Sequence, residues 1–580
     1  MGCDRATSRR DRSAPAAKPR AAPTGFPGLP PNRLFAMLLA LAAAPLWAPS
    51  LSFAAPAAGD PDLTSPQLIA PLVITPSPNP LCPLTPILTV VTDEPVTVEM
   101  QIFDGDKTFS NEIGLSPNDT HFLPILGVAA GRLANISLRL TDLAGNQTLL
   151  PNATTWAAPE LPEEFPPLTI TVNDASKMEP GVTFLPINRW DQAAGVQDGW
   201  VVAVDERGEV IWWAYSPLRL GQVERARSGR LRVGLQQQWA VEVNAFGVPE
   251  AAWWPSALDP ATTPTWAFGV DTESIHHDVI ELPPSANGGR MLVLGLERRT
   301  FDFYPADEVD PSILAEDVEV AGDEILEIDF DGTVLQRWSL FDIIDPLRMC
   351  YDSLGGFWNP LYGTVTADWS HGNGLAYDPE QDLILVSLRH QDSVIAFSRA
   401  TGELEWILGD PARWEAPYSD FLLQPVNLPG SDFEWPYHQH APKILPGGRL
   451  MLFDNGNQRA IPPLDPLAPE LRYSRAVEYG IDPVTKRIAQ LWDYGGAENP
   501  WYSMALGDAD PLPLTGNVLV TDGFKQDPFG VEPGSWARVF EVTKDDPAEI
   551  VFEAVVENPD PESALLWTIY RGERMPGLLP

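Results

Sequence analysis

The sequence predicts an all-β fold, a six-bladed β-propeller preceded by a small immunoglobulin- or fibronectin-like β-sandwich. Short apolar stretches alternate with turn residues along the chain, and continuous helical periodicity is absent. The composition includes 61 Pro, 44 Gly and 20 Trp, which favours many turns between short strands. A unit of about 40 to 50 residues recurs in the later part of the chain, and a repeat of that length is typical of a propeller.

The pattern of residues 1–54 predicts a signal peptide. Basic residues precede an apolar run at 34–54, which ends in small residues suited to cleavage near Ala54 or Ala55. An N-terminal membrane anchor is the alternative, but two prolines interrupt the run and its length is marginal for a span. We therefore expect a periplasmic or secreted protein with no stable membrane span after cleavage.

Charge and cysteine content exclude several classes of partner and of fold. The formal net charge of −41 at pH 7 repels phosphate backbones and anionic lipid surfaces, so we expect no nucleic-acid partner and no membrane-surface binding. Cys3 lies in the predicted signal peptide, and Cys82 and Cys350 fall in different predicted domains. We therefore predict no disulfide framework.

Shifts in composition indicate the domain boundaries. After an expected linker at 55–67, residues 68–157 contain short alternating stretches typical of a small antiparallel sandwich. Residues 158–169 are rich in Pro and Glu and indicate a second linker. Residues 170–580 form the predicted six-bladed propeller, which we expect to be the catalytic domain.

Each repeat of the predicted propeller has two halves. One is a turn and an apolar strand, as in GGRLMLFDNG from residue 447, and the other is a strand–turn–strand carrying Trp, as in LEIDFDGTVLQRW from 326. About six such units fit the chain, and radial closure brings the starts of their innermost strands together around a channel. We interpret the recurring Trp residues as packing between blades: Trp212, Trp338, Trp406 and Trp492.

The histidines give the strongest functional signal. Six of the seven lie in three segments that begin blades. His277 and His440 are each followed by a proline six residues later, and His371 opens the equivalent segment HGNGLAYDP. Three blades therefore present a His at one repeat position, and we expect all three at the mouth of the channel.

The remaining histidines of these segments are interpreted from strand alternation. His276 and His390 alternate to the other face of their strands, so we expect structural roles for them. His438 shares a face with His440 and could support it from behind. The adjacent pair leaves a choice between His276 and His277, and the internal repeat favours His277.

Two further polar residues are expected at the same site. Arg389 ends the strand LILVSLR eighteen residues after His371, a separation that suits the return strand of the same blade. Asn373 lies two residues after His371 and on the same side of an extended strand. A guanidinium keeps its proton and matches the oxygens of sulfate, phosphate or carboxylate, although an ion pair at the surface is an equal alternative for Arg389.

The segments HHDVIELP, DWSHGNGL with the later SLR, and HQHAPKILPGGRLMLFDNG resemble the arylsulfate sulfotransferase family. The resemblance extends over approximately residues 170–580, and the family's N-terminal β-sandwich fits 68–157. It implies a reaction independent of nucleotide-activated sulfate, in which a phenolic sulfate donates its sulfuryl group to a histidine and a phenol then accepts it. It implies no cofactor and no metal ion, and it suggests a homodimer.

The resemblance also implies a role for each site residue. His440 matches the histidine that becomes sulfated, and His277, His371, Asn373 and Arg389 match the residues that hold the sulfuryl oxygens. Either His371 or His277 could protonate the leaving phenolate as general acid.

One segment departs from the family's pattern. Enterobacterial members carry a short-range disulfide before the last His motif, whereas residues 410–430 contain no Cys. Disulfide-assisted maturation is therefore not expected, and the acceptor pocket formed by this loop could differ.

Three other functions compete with this interpretation. Three histidines at a propeller mouth could ligate Zn or Fe with Asp278 as a carboxylate ligand, although a nearby Arg389 would repel a divalent ion. A noncatalytic adhesion or scaffold propeller would leave the clustering of histidines unexplained. A related hydrolase would use water instead of a phenol as acceptor.

Overall fold

The computed structural model describes residues 63–578 apart from short gaps at 112–113, 192–193, 237, 259–262, 285–289, 430–431, 527–534 and 559–564. The predicted signal peptide, Cys3 and the first part of the linker 55–67 lie outside the described residues. Cys82 and Cys350 are both buried and free among the described residues.

Strands dominate the described chain, which confirms the predicted all-β class. The helical segments have four residues or fewer: Leu340–Ile343, Asn359–Tyr362, Arg389–Gln391, Tyr418–Phe421 and Pro469–Leu471. No helix in this part of the chain is long and apolar enough to cross a membrane.

The N-terminal unit is one connected sheet of six strands. Its long strand Ile87–Phe103 alternates buried and less buried side chains, as expected for a strand with one face in a core. The two-sheet sandwich over residues 68–157 stays a prediction. The strands are Val73–Thr75, Ile87–Phe103, Thr108–Asn111, Asn118–Pro124, Leu133–Asp142 and Gln147–Ala157.

Four further sheets each come from one continuous stretch of chain, as expected for blades. The first contains Leu220–Arg225, Leu231–Leu235, Trp239–Val243, Pro249–Pro255 and Phe268–Val270. The second contains Ile275–Glu281, Arg290–Pro305, Leu314–Asp329, Val334–Ser339 and Ala367–Asp368. The third contains Gly372–Asp378, Leu383–Leu388, Ser393–Ser398 and Leu404–Gly409. The fourth contains Gln424–Pro425, His440–Leu445, Arg449–Asp454, Arg475–Asp482 and Arg487–Gly495.

A ten-stranded sheet joins the two ends of this region. Its early strands are Leu168–Asn173, Val182–Asp191, Val196–Val204 and Val210–Ser216. Its late strands are Asp508–Pro511, Val518–Gln526, Ser535–Val542, Ile550–Glu557, Leu565–Ile569 and Glu573–Met575.

Early and late strands pair at two places in this sheet and so join the beginning and the end of the region. The early strand Leu168–Asn173 pairs with Ile550–Glu557, and the late strands Leu565–Ile569 and Glu573–Met575 pair with Val182–Asp191.

These pairings give two groups of five strands. Val182–Asp191, Val196–Val204 and Val210–Ser216 form one group with Leu565–Ile569 and Glu573–Met575, and the other five strands form the second. Among the described residues, the pair of Ser535 and Leu566 alone connects the two groups. If these two groups are counted as separate blades, they make six blades together with the four sheets described above. The six-bladed count stays a prediction.

The first strands of neighbouring sheets approach closely. A Cβ atom on Gly374 would lie 2.6 Å from Cδ of Pro442 and 3.0 Å from the backbone nitrogen of Ala441. Only glycine therefore fits at this point without displacing the neighbouring strand. This approach places the segments that carry His371 and His440 side by side.

The recurring Trp residues lie where sheets pack together. Trp212, Trp338 and Trp406 are buried, and the ring of Trp338 lies 5.8 Å from that of Phe397 in the following sheet. Trp492 is only partly buried and packs against another apolar cluster. These positions agree with the predicted packing role.

The C-terminal closure gives a test of the fold. Ile569 is fully buried in the strand that pairs with Val182–Asp191, so Ile569→Ala should lower the free energy of unfolding by about 2–5 kcal/mol. Denaturant unfolding followed by tryptophan fluorescence measures this. The control Val484→Ala, at a side chain that is 91% exposed, should leave the midpoint unchanged. Equal midpoints for both variants would show that this strand is not part of the cooperative fold.

Candidate active site

The three predicted histidines lie where the first strands of three sheets lose their regular pairing. The register shifts between Ile275 and Val279, between Gly372 and Gly374, and between His440 and Lys443. The φ angles of His277, His371 and Ala441 are 54°, 47° and 53°, in the left-handed region. Such bulges re-aim side chains, and strained backbone of this kind is concentrated at functional sites.

All three histidines line one cavity of about 1170 Å³, together with Arg389 and His390. The ring centres of His277 and His371 lie 5.0 Å apart, and those of His371 and His390 lie 4.5 Å apart. The structure therefore brings four of the five predicted site residues to one cavity.

The ring of His440 is held in one tautomer. Its Nδ1 lies 2.6 Å from Oδ1 of Asn455, and the amide nitrogen of Asn455 donates to the carbonyls of Ser503 and Leu506 at 2.9 Å each. Because those two bonds orient the amide, Oδ1 accepts and His440 carries its proton on Nδ1. The lone pair is then on Nε2.

The charge state of His440 follows from its surroundings. Burial, and then the positive charge of Arg389, hold its pKa well below the usual range. His440 is therefore neutral at physiological pH, which is the state that a nucleophile requires.

His371 forms a buried pair with Asp368. Its Nδ1 lies 2.5 Å from Oδ2 of Asp368, whose other oxygen accepts from Nε1 of Trp358 at 3.1 Å. Burial, and then Arg389, lower the pKa of His371, while burial raises the pKa of Asp368 to about 7. The pair can therefore hold one exchangeable proton near neutral pH.

His277 is supported by His276, and the two histidines play different parts. Nε2 of His276 lies 3.0 Å from the carbonyl of Gly295 and donates to it, so its Nδ1 accepts from Nδ1 of His277 at 2.8 Å. This leaves Nε2 of His277 with a lone pair. His277 lines the cavity, as the repeat predicted. Burial, and then His371, lower the pKa of His277.

Arg389 is fixed by its neighbours. Its Nη1 donates to Nε2 of His390 at 2.7 Å and lies 3.6 Å from Oδ2 of Asp352. Nδ1 of His390 donates to the backbone oxygen of Asp368 at 2.6 Å, which makes Nε2 the acceptor. His390, expected to be structural, thus lines the cavity and orients the guanidinium.

His438 lies behind this group, as expected for a supporting residue. Its Nδ1 lies 2.8 Å from Asp392 and its Nε2 lies 3.2 Å from Asp352. Although burial opposes the charged form, Asp392 and Asp352 raise the pKa of His438. His438 therefore anchors the carboxylate that faces Arg389.

Asn373 lies beneath the cavity wall rather than on it. Its side chain is fully buried, and Nδ2 donates to the backbone oxygen of Gln439 at 2.8 Å. Its own carbonyl accepts from Nη2 of Arg571 at 2.7 Å. Asn373 thus holds the residue that precedes His440, and its side chain is not part of the cavity lining.

Asp278, the carboxylate considered as a metal ligand, is engaged elsewhere. Its Oδ2 lies 3.0 Å from Nη1 of Arg571 and accepts from the backbone nitrogen of Leu375 at 2.9 Å. Both side chains of the ion pair are 6% exposed. Asp278 therefore links strands below the histidines.

Among the described residues, Asp368, His371 and His390 lie close enough together to share a metal ion. Both ring nitrogens of His390 are already engaged, one by the carbonyl of Asp368 and one by the Arg389 guanidinium. A cation at hydrogen-bonding distance opposes a divalent ion. The donor set therefore does not fit a metal site.

Sequence reasoning missed four residues that shape this site. Asp368 stands three residues before His371, and Asn455 lies in the segment LMLFDNG. Both residues therefore belong to the segments from which the site was predicted. Arg571 and Tyr570 follow the last blade repeat, where the periodic signal is weak. The hydroxyl of Tyr570 donates to the backbone oxygen of His277 at 3.3 Å.

Two curated proteins with the same name are similar to part of this chain. The curated arylsulfate sulfotransferase AssT of Escherichia coli O6:H1 strain CFT073 is 33% identical over 213 residues, covering 30% of this chain and 34% of that protein. The AssT of Lelliottia amnigena is 32% identical over 218 residues, covering 31% of this chain and 35% of that protein. The chain thus spans about a third of the length of the curated relatives it matches.

A solved structure, the periplasmic gluconolactonase PpgL of Pseudomonas aeruginosa, aligns with 67% of this chain and 99% of that chain. Its TM-score of 0.29 at 13% identity is too low to carry a structural argument. The family model of the arylsulfotransferases (ASST) matches residues 169–567, more than half of the sequence and every histidine of the cavity. The chain belongs to the arylsulfotransferase family.

Proposed function

We propose that this protein transfers a sulfuryl group from a phenolic sulfate to a phenol acceptor, with His440 as the nucleophile. The observation that supports this most is the fixed, neutral ring of His440, which lines a cavity that also contains a guanidinium and three further imidazoles. The two curated relatives are named arylsulfate sulfotransferases. Export to the periplasm or the medium, and a homodimer, are part of the proposal.

In the first half-reaction, Nε2 of His440 attacks the sulfur of the bound phenolic sulfate. The N–S bond forms as the bond between sulfur and the phenol oxygen breaks, which leaves a sulfohistidine and a phenolate. The His371–Asp368 pair gives its proton to that phenolate, since the pair is protonated near neutral pH. Neutral phenol then leaves the cavity.

The second half-reaction reverses these steps with a different phenol. The deprotonated pair removes the proton of the acceptor hydroxyl, and the phenol oxygen attacks the sulfur as the N–S bond breaks. His440 recovers its lone pair on Nε2, and the His371–Asp368 pair recovers its proton. No other reactant is required, and the kinetics are ping-pong.

Arg389 stabilises the sulfuryl oxygens during both displacements, whereas His277, which donates its Nδ1–H to His276, presents an acceptor nitrogen to the cavity. Arg389 is pre-oriented by His390 and Asp352, so little rearrangement is needed as charge develops on the oxygens. Asn373 contributes from beneath, because it fixes the backbone next to His440. We therefore assign Asn373 to positioning, in place of the direct contact that the family resemblance implied.

Removal of the nucleophile tests the proposal directly. With 4-nitrophenyl sulfate as donor and phenol as acceptor, His440→Ala should lower turnover by about 10⁴-fold or more. The wild-type protein treated with donor alone should gain the mass of one sulfuryl group on the peptide that contains His440. His121→Gln alters the one histidine outside the cluster and should keep full activity. Turnover that survives in His440→Ala would refute the assigned nucleophile.

The tautomer of His440 is the basis of a second prediction. Asn455→Leu removes the acceptor for Nδ1–H, so the ring can place its proton on Nε2, and kcat should fall by about 10²- to 10⁴-fold. Asn457→Leu is the matched control, because Asn457 also ties the loop through a carbonyl, that of Met504, without contacting His440. Similar losses in both variants would indicate loop damage instead of a tautomer effect.

The pH dependence of the donor step tests the general acid. In a ping-pong reaction kcat/KM for the donor reports the first half-reaction alone. For phenyl sulfate, whose leaving group needs a proton, this value should fall above about pH 7 as the His371–Asp368 pair deprotonates. For 4-nitrophenyl sulfate, a better leaving group, the fall should be much weaker. On the acid side, activity should persist below pH 6, because the pKa of His440 is lowered.

Asp368→Asn provides the control for that experiment. The variant removes the ionisable partner of His371, so the decline above pH 7 with phenyl sulfate should disappear while overall activity drops. Identical pH profiles for the two donors in the wild-type protein would rule out proton transfer from this pair.

A further inference from the structure

Trp358 adjoins a segment that forms part of the cavity wall. Residues 355–357, directly before it, line the cavity. The Trp358 side chain is 4% exposed and packs with Leu296 and Ala321, which belong to the two long strands of the second sheet. Its ring centre also lies 5.0 Å from that of His276. The second sheet therefore holds the indole in a fixed place beside the reacting groups.

The two oxygens of Asp368 have different partners. Oδ2 lies 2.5 Å from Nδ1 of His371, whereas Oδ1 accepts a hydrogen bond from Nε1 of Trp358 at 3.1 Å. An indole nitrogen can donate a hydrogen bond and cannot accept one. A proton on Oδ1 would weaken this bond, because a protonated carboxyl oxygen is a poorer acceptor than a carboxylate oxygen. The bond therefore favours Oδ2, the oxygen that faces His371, as the site of a proton on Asp368.

Burial and several charged groups act on the same carboxyl. Asp368 is 1% exposed, and burial is the main reason that its pKa is raised to about 7. Besides His371, four titratable or charged groups face it: His390, Asp323, Arg389 and His276. The charge of Asp323 raises the pKa, and the positive charges of the other three groups lower it. The indole N–H of Trp358 differs from all of these because it does not titrate, so it favours the ionised carboxylate at every pH.

We infer that Trp358 is a positioning residue for proton transfer. Its indole keeps the exchangeable proton of the pair on Oδ2 of Asp368, where His371 can take it up. The inference rests on the proposed function and concerns its general acid.

In the donor step, the Oδ2–H bond of Asp368 breaks as Nδ1 of His371 gains that proton. Nε2 of His371 gives its own proton to the oxygen of the leaving phenolate, and its lone pair remains on the ring. The indole N–H stabilises the carboxylate that this transfer leaves behind.

Two replacements at position 358 test this role by removing the N–H. Trp358→Phe keeps an aromatic ring, and β-(3-benzothienyl)alanine inserted at the same position keeps the bicyclic shape with sulfur in place of the N–H. Both should move the alkaline fall of kcat/KM for phenyl sulfate upward by about one pH unit, because the ionised carboxylate loses a donor. Below pH 6, kcat/KM for phenyl sulfate should drop by about 2- to 10-fold, since the proton can then occupy Oδ1. With 4-nitrophenyl sulfate, which needs no proton, both proteins should stay within about twofold of wild type, which also shows that they are folded.

Trp253→Phe is the matched control. Nε1 of Trp253 donates to the backbone oxygen of Phe330 at 3.0 Å, and the side chain is 2% exposed. This variant therefore also loses one buried indole hydrogen bond, but away from the histidines. Its pH profile with phenyl sulfate should equal that of the wild-type protein.

The outcomes separate the role of Trp358 from the proposed function. An unchanged alkaline fall in both position-358 proteins, equal losses with the two donors, or the same shift in Trp253→Phe would overturn the role of Trp358 while the sulfuryl transfer stands. Failure of any phenol to promote release of 4-nitrophenol by the wild-type protein, with no sulfuryl group on His440, would overturn the proposed function and this inference with it.

Discussion

The buried ion pair of Arg571 and Asp278 is the contact on which the geometry of the site depends. Asp278 directly follows His277, and Arg571 also binds the carbonyl of Asn373, two residues after His371. One guanidinium therefore ties together the strands that carry or adjoin two of the four cavity histidines, His277 and His371. Removing one partner of such a pair typically costs about 3–5 kcal/mol, because the other charge is left buried.

The same arginine affects the chemistry as well as the architecture. The pKa of His440 is lowered first by burial and then by Arg389, with Arg571 adding to the effect, and Arg571 also contributes to the lowered pKa of His277. A cation beneath the cavity thus adds to the burial and the charge of Arg389, which together favour the neutral state of the proposed nucleophile. The same guanidinium therefore joins two strands of the site and contributes to the electrostatic environment of its histidines.

Sequence alone predicts three of the four cavity histidines, His277, His371 and His440, because they share one position in a repeat. It misses Arg571, which contacts Asp278 across 293 residues, since no local pattern encodes so distant a partner. Alternation also fails for His390, because Arg389–Gln391 is a single helical turn in which successive side chains do not alternate between two faces. For Asn373, alternation gives the wrong direction because the register shifts beside it.

The net charge of −41 and an anionic substrate are compatible because charges act over different distances. Exposed carboxylates more than about 8 Å from the cavity are largely screened at physiological ionic strength, whereas Arg389, whose side chain is 13% exposed, is less screened. Contacts with His390 and Asp352 hold the guanidinium of Arg389 in the lining of the cavity. The large negative net charge is therefore compatible with the proposed anionic donor, because the cations that would meet that donor line the cavity itself.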